Sequence, residues 1–180
     1  MHLKKEQSNR RVSHAQVSVV PFETTLLVRD CCLCLHVQRA ARALARRFDE
    51  ALRPLDLTNG QFSLLMSLNR PKPPAMGAVA SLLAMDRTTL TAALKPLERR
   101  GLVKVSPDRL DRRSRLMSLT ANGRRLLARA VPIWERTHRE VEGLLADGNP
   151  EALRNNLRAL SQPGTHATLG MDAGSRSGND

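Results

Sequence analysis

From Arg29 to Leu52 the apolar positions Cys31, Leu35, Ala41, Leu44, Ala45, Phe48 and Leu52 recur at helical spacing, and Pro54 stops the run. The spacing predicts one helix of about six turns. In "TNGQFSLLMSL", Thr58 and Gln61 stand at the spacing of a capping box, and Phe62, Leu65, Met66 and Leu68 form the apolar face of a second helix. Pro71, Pro73 and Pro74 end it. A short third helix runs from Ala75 to Ala84. A fourth opens at Asp86 or Thr88 and stops at Gly101. The period then switches from helical to alternating in "LVKVSP" and "RLMSL", with "DRLDRR" between them, which predicts a β-hairpin with a basic tip.

Helical spacing resumes at Thr120 and continues to about Ala146 through Leu126, Leu127, Ala130, Ile133, Trp134, Val141 and Leu144, with a bend expected at Pro132. A last short helix has Asn149 as its N-cap and Pro150 in its first turn. Residues 1–24 are polar and basic without a clear period and are expected to form a disordered arm; residues 162–180 are expected to form a disordered tail. The pattern shows no internal repeat. It therefore predicts a mainly α domain over residues 25–161 with a small β-hairpin wing. Residues 57–120 read as a winged helix-turn-helix, and helices over about 29–53 and 120–161 flank it.

Composition supports helices. Hydrophobic residues are 41% of the chain, with 3 Phe, 1 Trp and no Tyr, so the core must be aliphatic. Strands would favour aromatic and β-branched residues. The chain carries 29 Lys and Arg against 17 Asp and Glu, a net charge of +12, which points to a polyanionic partner. Arginine suits phosphates and base edges through its planar fork. No apolar run approaches the roughly 18 residues of a membrane span, and the basic N-terminus lacks the apolar stretch of a secretory signal. The expected location is the cytoplasm, where disulfide frameworks are rare.

The fourth helix carries the candidate chemistry. Arg87, Thr88, Thr89, Thr91, Ala92 and Lys95 give it a face of small or basic side chains, while Leu90, Leu94 and Leu97 can anchor the opposite face. A helix that reads DNA needs this division: small groups approach base edges and cations hold phosphates. Its N-terminus also favours phosphate. A solvated amphipathic helix would show much the same pattern, so the hairpin matters. From Arg87 to Arg115 nine basic residues face three acidic ones, and the resulting surplus of six is half that of the whole chain. Arg109, Arg112, Arg113 and Arg115 cluster at or beside the hairpin tip, where arginines can enter a narrow minor groove. A charged tip that merely prevents edge pairing would need only one or two such residues.

The stretch from Leu83 to Leu127, "LAMDRTTLTAALKPLERRGLVKVSPDRLDRRSRLMSLTANGRRLL", resembles the DNA-binding core of the MarR family of bacterial transcription regulators. Asp111, Arg113, Leu119 and Thr120 match that family's wing pattern, and the likeness extends over about residues 29–160. The resemblance implies a homodimer joined by the first helix and the last two, bound to double-stranded DNA at a near-palindromic operator. It gives Arg113 the minor-groove role and has Asp111 hold an arginine in place. It assigns the recognition positions to Thr88, Thr89, Thr91 and Lys95. It further implies repression relieved by a small-molecule effector or by thiol oxidation. Pro96, inside the recognition helix, has no role in this reading.

Cys31, Cys32 and Cys34 cluster in "CCLCLH" with His36. On one continuous helix Cys31, Cys34 and Leu35 would share a face and Cys32 would lie about 100° round, so four zinc ligands would not converge. No metal and no cofactor are expected. Cys34 sits where the family's organic-hydroperoxide sensors carry a reactive cysteine, which makes it the candidate redox sensor. Those sensors hold their thiolate with tyrosines, and this chain has none. Simple packing of small residues in a dimer helix is the competing account. His14, His36 and His138 suggest no role.

The competing classes are an RNA-binding protein or a basic protein that coats DNA without sequence preference. Stacking on unpaired bases needs exposed aromatics, and 2% aromatic content argues against RNA. An enzyme is not expected, because no nucleophile, base and orienting group can be placed and no nucleotide loop is present.

Overall fold

The computed structural model describes residues 19–108, 111, 114–146 and 148–161. In chain order these form α1 (Phe22–Cys31), α2 (Leu33–Leu52), a 3₁₀ turn (Arg53–Leu55), α3 (Asn59–Ser67), α4 (Met76–Leu82), α5 (Arg87–Arg99), β1 (Val103–Pro107), β2 (Arg115–Leu119), α6 (Ala121–Glu142) and α7 (Pro150–Ser161). This is the mainly α fold with a hairpin wing that the periodicity predicts. Most of the expected arm and all of the tail, residues 1–18 and 162–180, lie outside the described residues. The chain divides into two units, one ending at Ala43 and the other beginning at Leu44.

In the first unit the expected single helix is two. It starts early, at Phe22, and breaks at Cys32, whose φ of −75° and ψ of 104° are extended. Cys32 ends one helix and begins the next: its N–H bonds Val28 O at 3.1 Å and its carbonyl accepts from His36 N at 3.1 Å. The His36 ring lies 3.1 Å from the carbonyl of Asp30, near the end of α1. Apolar periodicity continues through the break, which is why spacing alone runs the two helices together. Cys31 therefore belongs to α1 and Cys34 to α2, so the shared face expected of them does not form.

The second unit holds an aliphatic core. Leu52, Leu64, Leu65, Leu90, Leu94, Leu97, Met117 and Val79 are all less than 2% exposed or close to it. Burial of each is worth about 1.5–3 kcal/mol. Thr58 and Gln61 form the predicted capping box on α3. The α3 face differs in detail: Leu64 is buried and Met66 is 41% exposed. Met66 instead edges a cavity described below. The α3, α4 and β1 elements pack against α5.

Between α4 and α5 the backbone turns at Ala84, whose φ of 50° is left-handed. This conformation costs a residue with a Cβ about 1–2 kcal/mol. Met85 N bonds Ala80 O at 2.9 Å across the turn. Gly101, with φ of 65°, stops α5 as predicted.

The hairpin pairs Val103 with Leu119, Val105 with Met117 and Pro107 with Arg115. Ala75 makes a further antiparallel bridge to Leu116, so the residue before α4 adds a short third edge to the wing. Thr120 caps α6: its hydroxyl accepts from Gly123 N at 3.0 Å and donates to Gly101 O at 2.6 Å. Gly123 itself lies so close to the chain leaving α5 that a Cβ there would sit 2.1 Å from the carbonyl oxygen of Leu102. The α6 helix runs on through Pro132 but ends at Glu142. The expected last turn is missing, and Leu144 is 64% exposed. Asn149 caps α7 as predicted, through Ala152 N at 2.9 Å.

Candidate nucleic-acid interface

Helix α5 divides as its sequence suggests. Leu90, Leu94 and Leu97 are buried, and Arg87, Thr88, Thr89, Thr91, Ala92 and Lys95 are all exposed. At about 100° per residue, Thr88, Ala92, Lys95 and Arg99 form the crest opposite the leucines, and Thr89 and Thr91 flank it. Asp86 is the N-cap: one carboxylate oxygen accepts from Thr89 N at 2.8 Å and the other from the Thr89 hydroxyl at 2.7 Å. These hydrogen bonds hold the Asp86 carboxyl below its ordinary range. An N–H at the head of α5, expected to favour phosphate, is thus engaged by the chain's own carboxylate. The Thr91 hydroxyl donates to Arg87 O at 2.7 Å. Pro96 is half-buried, and the helix continues beyond it to Arg99.

Among the described cations of this segment, Arg100 is committed to the fold. Arg100 turns inward and donates to the carbonyls of Asp56 and Leu55, with the Asp56 carboxylate 3.7 Å away. It ties the end of α5 to the turn after α2. A charge count cannot register this, because it carries no direction.

At the wing, Arg115 and Lys104 are exposed on the two strands. The tip narrows through Asp108 N to Ser114 O at 3.0 Å and Ser114 N to Asp111 O at 2.8 Å. Arg109, Arg112 and Arg113 lie outside the described residues.

A cavity of about 440 Å³ lies among α3, α4 and α6; Phe62, Met66, Leu82, Leu83, Val131 and Trp134 supply its apolar wall. Phe62 and Trp134 stack at 6.2 Å, so an aromatic lining exists despite the scarcity of aromatics. Two large side chains at its rim hint at it, since Met66 and Leu82 are 41% and 57% exposed. Beyond it, His138 stacks on Trp134 at 4.7 Å and its Nε2 lies 3.1 Å from Glu142. Arg154 then bridges Glu142 at 2.6 Å and Glu151 at 2.9 Å, joining α6 to α7. Arg154 holds both carboxyls below their ordinary range.

Cys31 and Cys34 are exposed and Cys32 half-buried. Gln38 Nε2 donates to Cys34 Sγ at 3.1 Å.

The MarR family model matches residues 57–114, from the residue before the α3 cap to the wing. Over 141 residues the chain is 36% identical to the HTH-type transcriptional regulator TtmR of Methylorubrum extorquens, covering 78% of this chain and 71% of that one. The M. tuberculosis transcriptional regulator MosR, solved in complex with DNA, is 38% identical with a TM-score of 0.65 over 72% of this chain and 92% of its own. The repressor CouR, bound to a 23-mer DNA duplex, is 30% identical with a TM-score of 0.68 over 75% and 96%. A helix-turn-helix with a wing at its centre, matched in sequence and in three dimensions, places this chain in the MarR family of winged-helix transcriptional regulators.

Proposed function

We propose that two copies of this chain bind a near-palindromic operator in double-stranded DNA and repress the adjacent promoter. The observation that carries this is α5, which anchors three buried leucines and turns a small, basic face outward beside the wing. In this reading α5 enters the major groove through Arg87, Thr88, Thr89, Thr91, Ala92 and Lys95. The wing arginines Arg109, Arg112, Arg113 and Arg115 follow the adjacent minor groove, with Asp111 steadying one of them. The solved likeness to MosR and CouR on DNA supports the reading.

A second copy has apolar surface to cover: Phe22, Leu27 and Val28 on α1, and Leu153, Leu157 and Leu160 on α7, are all exposed. Two half-sites about one helical turn apart then follow from the dyad. A small apolar ligand in the 440 Å³ cavity, or oxidation at exposed Cys34, would shift the population toward a dimer with the wrong half-site spacing and release it. Arg113→Ala is expected to weaken operator binding by on the order of tenfold or more with the oligomer unchanged, by analogy with the loss of one good groove contact. A titration with unchanged affinity removes the wing from the interface.

A further inference from the structure

Arg99 and Arg100 are neighbours in sequence, and the fold treats them differently. Arg100 is half-buried and donates to the carbonyls of Asp56 and Leu55. Arg99 is exposed, and no hydrogen bond or ion pair among the described residues holds its guanidinium. At about 100° per residue Arg99 comes round to within roughly 20° of Thr88. Thr88, Ala92, Lys95 and Arg99 therefore stand in one row opposite the buried leucines. Glu98, the one acidic residue of α5, lies about 100° from Arg99 and off that row, so the row itself carries no negative side chain.

We infer that Arg99 is a further DNA contact, holding a backbone phosphate at the rim of the major groove. The inference rests on the proposal that α5 reads that groove. At 1.5 Å per residue the row from Thr88 to Arg99 is roughly 16 Å long, and the groove is about 12 Å wide. With the first turns of α5 over base edges, its last turn stands at the rim, where the nearest partners are phosphates. The C-terminal end of a helix carries partial negative charge, which repels a phosphate from the backbone there. Only a long cationic side chain can bridge to a phosphate at this end, and the planar fork of arginine can meet two of its oxygens at once. Arg100 cannot supply that contact, because its donors are turned to the Leu55 and Asp56 carbonyls. A phosphate contact carries no sequence information, so Arg99 adds affinity and register while base choice stays with the first turns of α5.

The test begins with selection of a bound duplex from random DNA by the full chain. The unaltered chain, Arg99→Gln and Arg99→Lys are then titrated with that duplex and with a scrambled one over a series of salt concentrations. Arg99→Gln is expected to weaken binding to both duplexes by the same factor, with Tm unchanged. The slope of log K against log salt is expected to fall by about 0.9 per protomer, so the deficit shrinks about threefold per protomer between about 50 and 200 mM salt. Arg99→Lys keeps the charge and is expected to keep the slope. An unchanged slope in Arg99→Gln, or a loss confined to the selected duplex, overturns the inference while DNA reading by α5 stands. Selection of no preferred sequence overturns the operator proposal and this inference together.

Discussion

Helices α5 and α7 carry leucines at one and the same spacing, Leu90, Leu94 and Leu97 in the first and Leu153, Leu157 and Leu160 in the second. The first set is 0%, 2% and 0% exposed; the second is 42%, 38% and 62% exposed. On α5 the stripe meets α3, α4 and β1 of its own chain. On α7 the link to α6 is electrostatic, through Arg154 between Glu142 and Glu151, and the apolar stripe stays uncovered. An amphipathic pattern says that a helix needs an apolar partner, but not whether that partner belongs to the same chain. In the proposed reading, the helix that meets DNA and the helix that pairs two copies share one leucine spacing.

Substitutions in the two stripes should separate these roles. Leu94→Ala opens a cavity in a filled core and is expected to cost about 3–4 kcal/mol in urea unfolding, at any protein concentration. Leu157→Asp should leave that core alone. Burying a carboxylate at the interface between copies is expected to weaken association by on the order of 3 kcal/mol or more. Light scattering would then report a monomer, and the dependence of Tm on protein concentration would disappear. If Leu157→Asp remains a dimer, α7 is not the pairing surface.

Gly123→Ala sharpens the comparison from the α6 side. The added carbon would press on a backbone oxygen, which cannot swing away, so a loss of about 2–3 kcal/mol in thermal unfolding is expected. The smallest effect belongs to pH. The carboxyls of Glu142 and Glu151 are held below their ordinary range, chiefly by Arg154. Their contribution is therefore fully present above the unfolded-state value near 4.5 and is lost as pH falls through the lowered folded values. Tm measured down this acid range should drop, and Arg154→Met should flatten the drop. Because these groups are well hydrated, the change should be slight beside that of Leu94→Ala.

Local chemistry was legible in the sequence. The capping box at Thr58 and Gln61, the cap at Asn149 and the stop at Gly101 each depend on residues within a turn or so of one another, and all form as their spacing predicts; Thr120, where helical spacing resumes, is the α6 cap and not its first helical residue. Asp86, one of two candidates for the α5 cap, is the one that makes the bonds. What spacing missed depends on contacts it does not contain. The break at Cys32 leaves apolar periodicity undisturbed. Arg100 looks like any other surface cation until the turn at Leu55 and Asp56, more than forty residues earlier, accepts its protons. The cavity walled by Phe62 and Trp134 needs three helices to exist. The candidate interface was legible as a set of residues on α5, but not as a set of donors and acceptors. Two threonines that look interchangeable in sequence became acceptors only once Asp86 and the Arg87 carbonyl took their protons.

Thr120 joins three elements with a single side chain: its hydroxyl caps α6 through Gly123 and clasps the carbonyl of Gly101 where α5 ends, while its own backbone continues from β2. With Gly123 seated against Leu102, this joint has almost no backlash. A roll of the long helix would press on the base of the wing, as meshed gears do when no gap is left between their teeth. In the proposed reading, a small rotation of α6 is therefore expected to be felt at the base of the wing through Thr120 and Gly123.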